Sequence, residues 1–173
     1  MQTYRLIAHP DHPAREIKGV SLRCVTLKDG RTMLRYRVDG CGALVIPDYA
    51  GTGRADGLWR TTCFEMFLKD RSPAYFEFNF SPSGRWAAYA FQSWREAVEA
   101  PELSSAPVIA WDKGSEIFVL TAFLATVDVT GAHRAGFSAV LEERGGHTSY
   151  WAMAHPPGKP DFHDAACFTA RLG

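Results

Sequence analysis

The sequence predicts an all-β protein, folded as an antiparallel two-sheet β-sandwich of the jelly-roll kind. Apolar and polar residues alternate in short runs that are rich in β-branched and aromatic side chains, a pattern typical of half-buried strands. Turn residues separate these runs at intervals of roughly 8 to 15 residues. Because a two-sheet sandwich buries alternate residues of many short strands, about a dozen such runs favour that architecture.

The runs that we expect to form strands follow one another along the whole chain. They are 2–8, 20–27, 32–38, 43–46, 58–68, 75–80, 85–91, 108–111, 117–125, 134–142, 148–154 and 168–172. The Asp29-Gly30 pair predicts a tight hairpin turn, and the segment 81–84, with Pro82 and Gly84, predicts a second. Neighbouring strands are therefore expected to be mostly antiparallel.

Two segments depart from the alternation. Ser93 can cap a helix, and Glu96 stands three positions further on among good helix formers, so one or two helical turns are expected within 93–102. The glycine-rich segment 48–57 is expected to be a long irregular connection. At most one short helix therefore interrupts the strands.

Length and composition indicate a single domain spanning residues 1–173. The chain has 46% apolar and 22% charged residues, which suits a compact core. Nineteen basic and nineteen acidic side chains cancel, so neither nucleic acid nor a membrane surface is an expected partner. No apolar run approaches the roughly 18 residues of a membrane helix. The oligomeric state stays open.

The cysteines and the first residues point to a cytoplasmic protein. Cys24, Cys41, Cys63 and Cys167 are scattered without a C-x-x-C pair, which argues against a zinc ribbon and favours reduced, mostly buried thiols. The first residues lack the cationic and apolar segments of a secretory signal. We therefore expect a cytoplasmic location.

The run 75–80 indicates which face of the sheet is turned toward the core. Its alternation places Phe76, Phe78 and Phe80 together, and three phenylalanines on one face predict a core position. The other residues expected in the core are Phe64, Trp86, Phe118, Leu120 and Phe137. Tyr75, Glu77 and Asn79 then point the opposite way, where they form a polar and aromatic surface.

Two carboxylates are expected to meet on that surface. If the runs 58–68 and 75–80 pair as a hairpin, Glu65 and Glu77 become cross-strand neighbours. Like charges at such positions need a cation, an arginine or a network of ligand hydroxyls; the arginines nearest in sequence are Arg60, Arg85 and Arg95. Two interpretations remain open, a lattice of arginines and carboxylates on an outer sheet face, or a ligand-binding face.

The ligand-binding interpretation rests on aromatic residues beside hydrogen-bonding groups. Sugars require this combination, because their C–H faces stack on aromatic rings while their hydroxyls need donors and acceptors. Tyr75 and Trp94 are further aromatic platforms of this face. The candidate ligand-binding residues are Trp59, Arg60, Glu65, Glu77, Asn79, Arg85, Tyr89, Trp151, His155 and His163. No catalytic residue is assigned, since the chain has neither a G-x-S-x-G elbow nor a phosphate-binding glycine loop.

The segment 155–163 contains two histidines, an aspartate, three prolines and a glycine. Prolines stiffen a loop, so we expect a structural clasp over one end of the sandwich, anchored by Phe162. Asp161 can pair with an arginine, and His163 can donate a ring N–H to a carbonyl. A metal triad of His155, Asp161 and His163 is the rival interpretation, as is calcium held by Asp161 with Glu65 and Glu77.

Three blocks of the sequence are similar to a known protein family. They are Leu58 to Glu65, Tyr75 to Tyr89 with its YFEFNFSPSGRW motif, and Tyr150 to His163. These blocks resemble the bacterial DOMON-like proteins, a group related to family 9 carbohydrate-binding modules, and the similarity runs from about Leu58 to the C-terminus. The resemblance implies a β-sandwich that binds a ligand, with sugar or haem as the ligand classes. For haem, Met66 or Met153 with His155 would be the axial ligands.

The sequence therefore predicts a non-catalytic domain that binds a carbohydrate or another small polyhydroxylated ligand. One alternative is a small intracellular enzyme that acts on sugars with Glu65 and Glu77 as an acid/base pair. Another is a haem-binding DOMON-type domain. No cofactor is expected under the first interpretation, with calcium and haem left as alternatives.

Overall fold

A computed structural model describes residues 2–172 and shows a fold made almost entirely of strands. The strands are β1 Gln2–Ala8, β2 Gly19–Thr26, β3 Arg31–Asp39, β4 Gly53–Arg54, β5 Cys63–Lys69, β6 Tyr75–Phe80, β7 Arg85–Ser93, β8 Glu96–Ala97, β9 Val108–Lys113, β10 Ile117–Ala125, β11 Arg134–Glu143, β12 His147–Ala152 and β13 Ala170–Arg171. Short 3₁₀ helices lie at Cys41–Ala43, Leu58–Arg60, Thr126–Asp128 and Ala165–Cys167. The all-β prediction is confirmed.

The strands form one curled sheet with the order β4-β7-β6-β5-β11-β12-β1-β2-β3-β10-β9, to which β13 adds beside β11 and β8 beside β7. Strand β1 makes the sheet continuous. Its residues 2–6 pair with β2, whereas Ile7 and Ala8 pair with β12. The prediction of two separate antiparallel sheets is therefore not confirmed.

One pair of strands is parallel. In β4, Gly53 lies opposite Arg85 and Arg54 lies opposite Trp86, and β4 runs in the same direction as β7. All the other pairs between these strands are antiparallel. Alternation in a sequence reports which side chains are buried and leaves open which strands are neighbours, so this pair could not be predicted.

The core fills the space between the two arms of the curled sheet. Phe64 on β5 stacks against Phe118 on β10 with ring centres 5.8 Å apart. The hydroxyl of Tyr36 on β3 donates a 2.5 Å hydrogen bond to the carbonyl of Glu65. Because these contacts join β5 in one arm of the sheet to β3 and β10 in the other, they hold the curl closed.

Most of the predicted core residues are confirmed. Six of them are buried: Phe64, Phe78, Phe80, Phe118, Leu120 and Phe137. The prediction that Phe76 lies in the core is wrong, since its side chain is 44% exposed. Trp86, also predicted in the core, is only partly buried. Phe76 has the alternation of a core residue, but it lies near the start of β6, where it borders a small pocket beside residues 128–132. The face of Glu77, which we expected to be a surface, is buried as well.

The prediction of a helix within 93–102 is wrong. Trp94 and Arg95 form the turn between β7 and β8, and the Ser93 hydroxyl donates a 2.6 Å hydrogen bond to the Glu96 carboxylate. The Ser-x-x-Glu spacing that resembles a helix cap is therefore satisfied inside a hairpin. Arg95 has a φ of +55°, and it is the one non-glycine residue with positive φ among residues 2–172.

Three predicted strands are shorter or missing. The run 43–46 forms the end of a 3₁₀ helix and an isolated bridge at Leu44, and the first residues of 58–68 form another 3₁₀ helix before β5 begins at Cys63. The run 168–172 reduces to the two residues of β13. Apolar residues in short runs satisfy both kinds of structure, so periodicity alone does not separate them.

Two further sequence-based expectations can be compared with the fold. All four cysteines are free thiols, and three of them are buried. No helix within residues 2–172 has the length and apolar character needed to cross a membrane.

Candidate functional site

A cavity of about 920 Å³ opens on the face of the sheet that is turned away from the core. Its polar lining residues are His12, Asp56, Arg60, Glu65, Glu77, Arg95, Lys159 and His163. Its aromatic lining residues are Trp59, Tyr89, Phe91, Tyr150 and Phe162. The lining therefore combines titratable groups with flat apolar surfaces.

Two glutamates lie in this cavity. On the paired strands β5 and β6, Glu65 lies opposite Asn79 and Glu77 lies opposite Phe67, so the two glutamates are diagonal neighbours on one face. They are 3% and 5% exposed. The hydroxyl of Ser138 on β11 donates a 2.9 Å hydrogen bond to Glu65 Oε2. The hairpin pairing expected from the sequence is thus present, with both acids buried.

Burial changes the protonation of both glutamates. Desolvation, reinforced by the neighbouring Glu77, raises the pKa of Glu65 to about 8. Desolvation also raises the pKa of Glu77 to about 7, while the positive charge of Arg95 opposes the rise. At neutral pH the pair therefore retains a proton and offers both an O–H donor and carboxylate acceptors.

A neutral histidine lies beside this pair. Burial, reinforced by Arg95, lowers the pKa of His163 to about 4. The Tyr75 hydroxyl accepts a 3.0 Å hydrogen bond from the Arg95 backbone N–H, and its oxygen lies 2.8 Å from His163 Nδ1. The other ring nitrogen, Nε2, lies 3.6 Å from Glu77 Oε2. Since the ring is neutral at pH 7, this contact is not an ion pair.

The loop 155–163 covers the cavity as a clasp. Asp161 Oδ1 lies 2.8 Å from Arg95 Nη2, and Asp161 Oδ2 accepts a 2.9 Å hydrogen bond from the indole of Trp94. Phe162 is 8% exposed and packs in the second apolar cluster of the molecule. The expected hydrogen bond from the His163 ring to a backbone carbonyl is not formed with any residue from 2 to 172, since Nδ1 lies beside the Tyr75 hydroxyl and Nε2 faces Glu77.

The 3₁₀ helix at Leu58–Arg60 and the strand β7 form the opposite wall. Trp59 is 51% exposed, and the Arg60 guanidinium lies 5.6 Å from the centre of its ring. On β7, the Tyr89 hydroxyl donates a 2.7 Å hydrogen bond to Asp56, which also lies 3.1 Å from the guanidinium of Arg54. Trp59 therefore offers an open aromatic platform, whereas Tyr89 is fixed by a polar partner.

The structure brings together six of the ten sequence-predicted site residues. Those that line the cavity are Trp59, Arg60, Glu65, Glu77, Tyr89 and His163. Asn79 lies opposite Glu65 on the same sheet face but is completely buried and does not line the cavity.

The three remaining residues lie elsewhere. Arg85 donates to the backbone carbonyls of Ala50 and Thr52 and so holds the segment before β4. Trp151 is 6% exposed in the main core, where its indole donates to Ser149. His155 hydrogen-bonds the carbonyl of Ile7 with Nε2.

Several lining residues were missed by the sequence analysis. Arg95 falls in the segment expected to be helical, and Asp56 falls in the glycine-rich connection. Tyr150 could have been found from the alternation of side chains along its strand. Because side chains alternate along a strand, Tyr150 and Trp151 must face opposite ways, and placing Trp151 at the ligand face excluded Tyr150.

The metal interpretations do not match the geometry. Within residues 2–172, no group of three or more histidine, cysteine, aspartate or glutamate side chains is arranged to hold a metal ion. Asp161, which the calcium interpretation requires, is already bound by Arg95 and Trp94.

The haem interpretation has the same difficulty. Met66 is 2% exposed in the main core, on the sheet face opposite the cavity, and Met153 is partly buried against the same core. His155 Nε2 is committed to the carbonyl of Ile7. These residues do not fit a pair of axial haem ligands.

Comparison with known proteins gives a likeness of fold. No protein-family model matches the chain, and no curated protein matches it. The crystal structure of a "putative carbohydrate-binding protein" from Bacteroides uniformis superimposes with a TM-score of 0.63 at 18% sequence identity, covering 96% of this chain and 84% of that one. At this identity the two proteins share a fold.

Proposed function

We propose that this chain is a non-catalytic domain that binds a carbohydrate, or a related small polyhydroxylated molecule, in the cavity above β5, β6 and β7. One observation carries the proposal. Glu65 and Glu77 are buried together in a cavity whose walls include the exposed ring of Trp59. A sugar needs both features, since it stacks its C–H face on an aromatic ring and bonds its hydroxyls to polar groups.

The protonation of the glutamate pair supports the same ligand class. A sugar hydroxyl both donates and accepts hydrogen bonds, so it pairs well with a site that does both. With pKa values raised to about 8 and about 7, Glu65 and Glu77 present a donor and acceptors at neutral pH. The cavity of about 920 Å³ has room for a small sugar, since ligand pockets measure roughly 300 to 1,000 Å³.

The fold likeness gives this proposal limited further support. The similar solved structure is described as carbohydrate-binding, which agrees with the ligand class. We also propose that the chain belongs with the DOMON-like proteins related to family 9 carbohydrate-binding modules. In that interpretation the two arms of the curled sheet correspond to the two layers of a jelly-roll sandwich.

The test is binding without turnover. A glycan array followed by titration calorimetry with monosaccharides and disaccharides should identify a ligand. Replacement of Trp59 by alanine should weaken that ligand about tenfold, on the order of 1.4 kcal/mol. Trp111→Ala is the matched control, because Trp111 is 45% exposed but lies on β9 and does not line the cavity. No heat with any sugar, or equal losses in both variants, would contradict the proposal.

A second candidate function is sugar hydrolysis or another acid/base reaction on a sugar. The paired glutamates favour it, because neighbouring carboxyl groups with raised pKa values in a cavity are typical of catalytic sites. Incubation of the identified ligand with the protein, followed by product analysis, separates the two functions. An enzyme would form product, and Glu77→Gln would abolish turnover while ligand still bound. A binding domain would return the sugar unchanged.

A further inference from the structure

We infer that the ligand of this cavity is an anionic sugar, a polyhydroxylated ring that carries a carboxylate or phosphate group, and that Arg60 and Lys159 bind its negative charge. The inference rests on the proposed function, since it specifies the class of sugar that the same cavity takes. It goes beyond that function because neither the aromatic platform nor the glutamate pair distinguishes a charged sugar from a neutral one.

The acidic groups of the cavity already have partners in the protein. Asp56 is bound by Arg54 and by the hydroxyl of Tyr89. Glu65 accepts a hydrogen bond from Ser138. Glu77 Oε2 lies 3.6 Å from Nε2 of the neutral His163 ring, and this contact is not an ion pair. The charge of Asp56 is therefore compensated by Arg54, whereas burial limits the negative charge of Glu65 and Glu77.

The cations of the cavity divide into two kinds. Arg95 is paired with Asp161 at 2.8 Å. Arg60 and Lys159 are exposed, and neither makes an ion pair or side-chain hydrogen bond with any residue from 2 to 172. The lining therefore has two positive groups whose charge nothing in the described chain balances.

These two cations reach the cavity from separate segments. Arg60 ends the 3₁₀ helix at Leu58–Arg60, and its guanidinium lies 5.6 Å from the ring centre of Trp59. Lys159 belongs to the clasp loop 155–163. A sugar that stacks on Trp59 would thus have a guanidinium beside it, in the position where an acidic substituent needs one.

The chemistry of the two side chains matches carboxylate and phosphate. A guanidinium presents a planar fork that pairs bidentately with both groups, and an ammonium group adds a compact second charge. A concave site focuses the field of its unbalanced charges toward the ligand. The glutamate pair cancels only part of this field, because burial suppresses the ionisation of Glu65 and reduces that of Glu77 at neutral pH.

The experiment compares matched neutral and anionic sugars. Titration calorimetry would use glucose, galactose and mannose, each beside its uronic acid and its 6-phosphate. Within the recognised series, the anionic sugar should bind about tenfold or more tightly than the neutral one. The member that binds best, uronate or phosphate, identifies the acidic group. The preference should weaken as salt concentration rises.

Variants assign the preference to the two cations. Arg60→Gln and Lys159→Gln should each reduce the ratio of anionic-sugar to neutral-sugar affinity about fivefold to tenfold. Arg35→Gln is the control, because Arg35 is an exposed and unpaired arginine of β3 outside the cavity. Both cavity side chains are exposed, so the variants should melt at the wild-type temperature.

The outcomes separate this inference from the proposed function. Equal affinities for neutral and anionic sugars, or a preference that Arg60→Gln and Lys159→Gln leave unchanged, would overturn the anionic ligand and leave a neutral sugar site. No binding of any sugar would overturn both proposals. An anionic preference that is lost in these variants and kept in the Arg35→Gln control supports the inference.

Discussion

Arg95 and Asp161 form a 2.8 Å ion pair between two segments that are 66 residues apart in sequence. Arg95 is in the left-handed backbone region, with a φ of +55°, at the turn between β7 and β8. Asp161 also accepts hydrogen bonds from the Trp94 indole N–H and from the backbone N–H of His163. This carboxylate therefore fixes the clasp loop over the cavity.

Asp161→Asn should loosen the clasp. Burial pushes the pKa of Asp161 upward, but hydrogen bonds from Trp94 and Arg95 outweigh it and hold the pKa below its ordinary value. Since the pair is partly exposed, we expect the free energy of unfolding to fall by about 1 kcal/mol, with weaker ligand binding. Chemical denaturation checks the stability. Asp112→Asn, on the edge strand β9, is the control and should have no effect.

The glutamate pair and His163 predict a specific pH dependence. Folded Glu65 and Glu77 keep protons up to pH values of about 8 and 7, whereas the unfolded chain releases them near 4.5, so their contribution to stability falls as the pH rises through that window. His163 acts in the opposite sense, because only the unfolded chain binds its proton between pH 6.5 and about 4. Stability should therefore decline from pH 6.5 to pH 8.

Glu65→Gln isolates the source of that decline. Glutamine resembles the protonated acid and cannot ionise, so thermal melts of this variant should lose less stability than wild type between pH 6.5 and pH 8. Glu116→Gln, at an exposed ion pair with Lys18, should keep the wild-type slope. A wild-type melting temperature that stays level or rises across this interval would show that the pair is ionised in the folded protein.

The different burial of two phenylalanines on one face of β6 predicts unequal losses of stability when each is replaced by alanine. Phe78 is 1% exposed, so Phe78→Ala should cost about 3 to 5 kcal/mol through lost burial and a cavity. Phe76 is 44% exposed, and Phe76→Ala should cost well under half as much. Urea denaturation of both variants checks this. Equal losses would mean that the end of β6 is covered.

The backbone contacts of Glu143, far from the cavity, predict that replacing this residue lowers the stability of the fold. Its buried carboxylate accepts hydrogen bonds from the backbone N–H groups of Arg15 (2.8 Å), Glu16 (2.6 Å) and Ile17 (3.2 Å). Glu143→Gln removes the charge and one acceptor, so the free energy of unfolding should fall by about 2 kcal/mol. Glu142→Gln, whose carboxylate bonds a single side chain, Thr61, provides the neighbouring control. If the two variants lose equal stability, Glu143 does not anchor this segment.

The strands could be predicted because their signal is local. Alternation over six to nine residues identified β1, β6 and β10 with their correct bounds. The curl of the sheet depends on β1 changing partners between residues 6 and 7, which no local pattern records. The parallel strand β4 has only two residues, too few for any period to appear.

The candidate site was predicted in part for the same reason. Glu65 and Glu77 were expected together because a hairpin makes them neighbours, and hairpin pairing follows from the sequence. Arg95 reaches them from a turn that resembled a helix start, and Lys159 reaches the cavity through a loop whose path depends on the Asp161 contacts. These long-range placements required the fold.

The indole N–H signals of the five tryptophans give the most direct test of the binding site. In a titration of the isotope-labelled protein with the best-binding sugar, we predict that the signal of Trp59 shifts most. The signals of Trp111, on β9, and of Trp151, in the core, should stay in place. A saturable shift of Trp111 with Trp59 unmoved would put the sugar elsewhere on the molecule and contradict the account.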